Sequence, residues 1–115
     1  MADDLRLSPL PYLVPQHGTY ALHYASIKGF PSVAKMLIEA GAQVNALSTY
    51  GQTALKWAVQ NGRTEVVREL LAAGADPLLE DSWGVTALMK AEEGGHHAIV
   101  EQLKVSIAAH QRDEL

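Results

Sequence analysis

The sequence predicts an all-α solenoid of three stacked helix-turn-helix units with loop or β-turn tips. Three observations carry this prediction. First, Gly18-Thr19-Tyr20-Ala21-Leu22 returns as Gly51-Gln52-Thr53-Ala54-Leu55 and again as Gly84-Val85-Thr86-Ala87-Leu88, an offset of 33 both times. Second, other residues hold the same register: Ala25, Ala58 and Ala91; Gly29, Gly62 and Gly95; Leu37, Leu70 and Leu103. The triplet Ala40-Gly41-Ala42 comes back as Ala73-Gly74-Ala75, and 10 of 33 positions are identical between the first two units. Unrelated segments would share roughly two, given usage near 7% for the commonest residues. Third, 115 residues at 48% hydrophobic and 19% charged make one small globular domain. A fixed period near 33 within such a chain is the mark of a repeat architecture.

The elements follow in order. Residues 1–17 come first, and Ser8-Pro9-Leu10-Pro11-Tyr12-Leu13-Val14-Pro15 holds three prolines, so this stretch is expected to be extended. Its Leu10, Tyr12, Leu13 and Val14 suit packing over the outer face of unit one; a linker or a Pro-rich ligand for another domain is the alternative. Unit one spans 18–50, with Pro31 near the start of its second helix, where a missing N–H costs little. Val33, Met36, Leu37 and Ile38 are expected to form that helix's apolar face.

Unit two spans 51–83. Thr53 is placed to cap a helix by accepting a backbone N–H, and Ala54 to Asn61 make about two turns. Gly62 ends them in the left-handed conformation that a Cβ penalises. Thr64 and Glu65 open a second helix, the acid sitting at the positive end of the dipole. Val66, Val67, Leu70 and Leu71 share one face of it, and Gly74 ends it. Unit three covers 84–107 and is expected to be a C-terminal cap with a longer final helix, followed by a polar tail at 108–115. A helix pair this short cannot bury its own stripe, so three units must share an elongated core.

These motifs resemble the ankyrin repeat family, whose unit carries Gly-x-Thr-Pro-Leu-His-x-Ala, a Gly, an apolar helix and Gly-Ala-Asp-Val-Asn-Ala. Unit one matches with Gly18, Ala21-Leu22-His23-Tyr24-Ala25 and Gly41-Ala42-Gln43-Val44-Asn45-Ala46. Unit two matches with Gly51, Thr53-Ala54-Leu55, Ala58, Gly62 and Gly74-Ala75-Asp76, and unit three with Gly84, Thr86-Ala87-Leu88, Ala91, Gly95-His96 and Ile99-Val100. The resemblance covers about residues 18–107. Ala stands for the family Pro in all three units, and Tyr20 replaces the capping Thr of unit one, which weakens that helix start. The motif His survives only as His23, with Lys56 and Met89 in its place. Lys90, Glu92 and Lys104 occupy sites that are mostly apolar or small in the earlier units, as befits a C-terminal cap whose outer face meets water.

The resemblance implies a non-enzymatic module that binds another protein or peptide on its concave face and loop tips, as an adaptor or scaffold. A free-standing regulator that occludes its partner's surface is the alternative. Carried over position by position, the contact residues are His17, Tyr50 and Trp83 just before each motif Gly, and Thr19, Gln52 and Val85 just after it. Ile27, Lys28, Gln60, Asn61 and Glu93 lie just before the helix-ending glycines. His17, Tyr50 and Trp83 put three rings in one register, with ~10 Å between neighbouring units. Tyr and Trp often dominate binding energy. Rings folded back onto their own loops are the other reading. Tyr24 and Trp57, in the first helices, are expected to pack between helix layers, with a partly exposed groove contact as the alternative. Lys35, Glu39, Arg63, Arg68, Glu69 and Glu101 are expected to solvate the back face.

Other function classes fare poorly. With no cysteine, the chain has neither a disulfide framework nor a thiolate site. A net charge of -4 supplies no basic footprint for nucleic acid, and no apolar run reaches the length of a membrane span. His96-His97 and His110 suggest a metal only superficially: adjacent histidines on a helix point about 100° apart, and no i, i+4 histidine pair accompanies them. No phosphate loop, nucleophile elbow or catalytic triad is legible, so no cofactor is expected. Acids near the N-terminus argue against a secretory leader, and Arg112-Asp113-Glu114-Leu115 resembles an ER retrieval signal by coincidence. The expectation is an intracellular protein, cytoplasmic or nuclear, monomeric on its own.

Overall fold

The computed structural model describes residues 19–48 and 51–113, apart from the side chains of Thr19 and 110–113. The described residues form six helices: α1 Thr19–Lys28, α2 Pro31–Glu39, α3 Ala54–Gln60, α4 Thr64–Ala72, α5 Ala87–Gly94 and α6 His97–Asp113. They pair within each unit, α1 with α2, α3 with α4 and α5 with α6. The first helices stack as a row α1, α3, α5, and the second helices as a row α2, α4, α6. The expectation for residues 1–17 lies outside the described residues.

Local chemistry sets the helix ends as expected in unit two. The Thr53 side chain accepts the Lys56 N–H at 3.1 Å, and α3 stops where Gly62 turns to φ +69°. The positive φ is what calls for glycine there; a Cβ would also meet His96 Cε1 at 3.1 Å, a tight contact with a side-chain atom. Thr86 repeats the cap on α5, accepting the Met89 N–H at 3.2 Å, while Met89 Sδ accepts the Thr86 N–H at 3.4 Å. In unit one, Tyr20, which stands at the register of Thr53 and Thr86, lies inside α1. A phenol on a long stem is not a short-range acceptor for the first-turn N–H groups.

The core runs along the stack. Leu22, Ala25 and Ala34 of unit one, Leu55, Ala58, Val59, Val66, Val67 and Leu70 of unit two, and Ala91, Ile99 and Leu103 of unit three are all buried. Most lie at equivalent registers, and alanine at 25, 58 and 91 leaves room for the first helices to approach closely.

Two expectations are corrected. In α2 the buried residue is Ala34, with Leu37 and Ile38 packed beside it. Val33 and Met36 are exposed. Met36 sits about 200° round the helix from Ala34, while Val33 points to the flank away from unit two. The second correction is at the C-terminus: α6 continues to Asp113, so the boundary at 107 falls within a helix. Nothing after Gly95 breaks it, and Ala108, Ala109 and Gln111 are good helix formers.

Leu70 sits in the middle unit and is fully buried. Leu70→Ala should cost about 3 kcal/mol, read as a lower urea midpoint with the cooperative single transition retained.

Candidate functional site

The tips that precede units two and three are built alike. The Ser48 N–H donates to the Gln52 carbonyl at 2.9 Å, and the Asp81 N–H donates to the Val85 carbonyl at 3.1 Å. Each turn is also closed by the side chain of its first residue. Ser48 Oγ accepts the Gln52 N–H at 3.2 Å, and Asp81 Oδ1 accepts the Val85 N–H at 3.0 Å and the Trp83 N–H at 2.8 Å. Neighbouring loops are laced together. Asn45 Oδ1 accepts the Asp76 N–H at 2.8 Å, and Asn45 Nδ2 donates to the Gly74 carbonyl at 3.3 Å.

The tip before unit three has a further anchor that the sequence reading missed. Lys56, on α3, is 1% exposed. Its ammonium pairs with Asp81 Oδ2 and donates to the Val85 carbonyl at 2.6 Å. Burial alone would raise the Asp81 carboxyl. The hydrogen bond from Lys56, those from the Val85 and Trp83 N–H groups, and the lysine's charge outweigh it and bring the pKa down to about 2. His23, at the same register in unit one, is buried, and burial holds its pKa below the ordinary value against a hydrogen bond to the Ala46 backbone. In both units the motif-His position thus ties a first helix to the following loop. The available signal for Lys56 was a long cation at a register otherwise held by His and Met.

The predicted contact residues are placed unevenly. Trp83 is 66% exposed on its pinned tip, and Val85 beside it is half-buried. Lys28, Gln60, Asn61 and Glu93 are exposed at the ends of the first helices, and Ile27 is half-buried. The Ile27 carbonyl accepts from Arg63 Nε at 3.0 Å, so Arg63 bridges units one and two rather than only solvating the back face. Gln52 is half-buried, and its side-chain oxygen is enclosed with no hydrogen-bond partner among the described residues. Thr19 falls inside α1. His17 and Tyr50 lie outside the described residues, so of the ring stripe only Trp83 is located.

Tyr24 was expected to pack between helix layers and does not. It is 57% exposed, its ring 6.4 Å from that of Phe30 and 5.8 Å from the Lys28 ammonium. Trp57, one unit on, is half-buried because unit one covers it. His96 packs over Gly62. Among the described residues, no three His, Cys, Asp or Glu side chains gather as metal ligands. Nor is any described helix long and apolar enough to cross a membrane.

Paired helices at a fixed period, linked by hydrogen-bonded tips, are matched by one family model, described as ankyrin repeats (3 copies), over residues 8–81. The chain belongs to the ankyrin repeat family. Unit three extends the ankyrin stack past the matched residues with the same helix pair, α5 and α6. No curated protein matches the chain significantly. Ankyrin repeats generally mediate protein–protein interaction and are typically non-enzymatic.

Asp81 has a folded pKa below its unfolded value near 3.9. Its contribution to stability is therefore present above about pH 4 and lost as pH falls through about 2. Asp81→Asn should remove that part of the acid-limb loss from a plot of unfolding free energy against pH. Lys56→Met should lower Tm by at least ~5 °C. Asp81→Asn should cost less in the Lys56→Met background than alone, a coupling read from thermal melts of the four proteins.

Proposed function

We propose that this ankyrin protein is a non-enzymatic adaptor that holds a partner protein or peptide across its tips and the exposed ends of α1, α3 and α5. The observation that carries the reading is Trp83. Its large ring is two-thirds exposed, tryptophan is a residue type that often dominates binding energy, and the loop beneath it is fixed by a buried lysine–aspartate pair. A fixed tip loses little conformational freedom on binding, and pre-organisation of that kind raises affinity. Lys28, Gln60, Asn61 and Glu93 add exposed polar groups along the same row of helix ends, which suits a polar rim round an aromatic anchor. A cysteine-free chain of net charge -4 fits work inside the cell.

The test compares proteins captured by the wild-type chain with those captured by a Tyr50→Ala, Trp83→Ala variant. The variant should bind the captured partner at least ~30-fold more weakly, the scale of losing a dominant aromatic contact. Its Tm should stay within about 2 °C of wild type, since Trp83 is exposed and surface substitutions cost little. Unchanged capture, or a large fall in Tm, would count against the reading.

A further inference from the structure

The start of α5 is closed by a sulfur atom. Thr86 Oγ1 accepts the Met89 N–H at 3.2 Å, and Met89 Sδ accepts the Thr86 N–H at 3.4 Å. This is a reciprocal capping box with methionine at the position that Glu or Gln commonly fills. A thioether is a weak acceptor. The N–H it accepts belongs to the same peptide group as the Val85 carbonyl, which accepts from the Asp81 N–H at 3.1 Å and from the Lys56 ammonium at 2.6 Å. Met89 thus grips one side of a peptide plane whose other side is anchored by the buried lysine–aspartate pair. The side chain is open to solutes, 48% exposed. In a chain without cysteine, methionine is where an oxidant meets sulfur.

We propose that Met89 is a site of reversible oxidation by hydroperoxides, and that its sulfoxide strengthens the cap of α5 instead of breaking it. A sulfur lone pair attacks one oxygen of hydrogen peroxide, the O–O bond breaks, and the leaving oxygen takes up the proton and departs as water. Sulfur loses two electrons and the peroxide gains them. The product carries an oxygen on the δ atom of the side chain, as glutamine does, so it presents the acceptor that Gln supplies in the ordinary box. Rotation about the Cγ–Sδ bond turns that oxygen to the Thr86 N–H and leaves the methyl group in water. Methionine oxidation disrupts cores by placing a polar group in apolar packing, but half of this side chain already faces solvent. A stronger acceptor on the Thr86 N–H polarises the Val85 carbonyl and so reinforces its bonds to Lys56 and Asp81. Met36 is the internal contrast. It is 66% exposed in α2, past the first turn, where backbone N–H groups are bonded within the helix.

The test treats the full chain with hydrogen peroxide, as wild type and as Met36→Leu, Met89→Leu and Met89→Gln variants, and maps sulfoxides by peptide mass spectrometry. Met89 should gain one oxygen, and methionine sulfoxide reductases of both stereospecificities together should remove it. In the Met36→Leu protein, oxidation should slow amide hydrogen exchange at Thr86 roughly 3- to 10-fold, the scale of one improved hydrogen bond, with Tm unchanged or higher. Met89→Gln should slow that exchange without peroxide. Met89→Leu should speed it and make it insensitive to peroxide. Resistance of Met89 to peroxide, faster Thr86 exchange in its sulfoxide, or no slowing by Met89→Gln would overturn the proposal.

Discussion

Helices α1 to α5, of seven to ten residues, cannot cover their own apolar stripes, and the architecture depends on that constraint. The buried surface of each unit is completed by its neighbour. Val67 and Val59 are buried because unit three lies against them, and Val66 because unit one does. The same chemistry at the ends of the row gives different exposure: Val33 is uncovered where Val66 is not. Stability is then a sum of unit terms and interface terms, with the middle unit contributing two interfaces and each end unit one.

Hydrogen bonds between loops fix the register of that stacking. Apolar burial is non-directional, and a stripe of alanine and leucine would tolerate sliding. The links Asn45 to Gly74 and Asp76, Arg63 to Ile27, and Lys56 to Val85 do not. A buried ion pair is weak evidence for net stability and better evidence for specificity. In this protein it holds a turn whose exposed residue is the candidate anchor. The geometry of Trp83 therefore depends on a side chain that a partner need never touch.

The period made most of the fold legible. Thr53, Gly62, Thr64 and Gly74 act where the sequence places them, because capping and left-handed turns are decided within a few residues. What escaped was decided elsewhere in the chain. Val33 and Met36 are as apolar as their neighbours, but hydrophobicity does not say which flank of a helix meets the next unit. Tyr24 and Trp57 share a register and differ in exposure because only one has a unit before it. The Lys56–Asp81 pair is not periodic in residue type: in unit one the same registers hold His23 and Ser48, and in unit three Met89 replaces the lysine. A reading that looks for what recurs passes over a contact made once, between residues 25 apart.

Stacking and binding are coupled in this arrangement. Lys56, Asp81 and Trp83 belong to unit two, and the same lysine and aspartate hold Val85 at the start of unit three. Opening the interface between units two and three would break the bonds to Val85 that close the turn, so a partner that requires Trp83 in its held position binds the stacked form selectively. Selective binding stabilises the stack by about 2.7 kcal/mol when the partner stands at 100 times its Kd. That is close to the cost of one buried leucine cavity in the middle unit, roughly 3 kcal/mol. A bound partner across the tips and a well-packed Leu70 are therefore comparable contributions to one equilibrium. A core substitution far from Trp83 weakens binding by lowering the population of the stack that presents it.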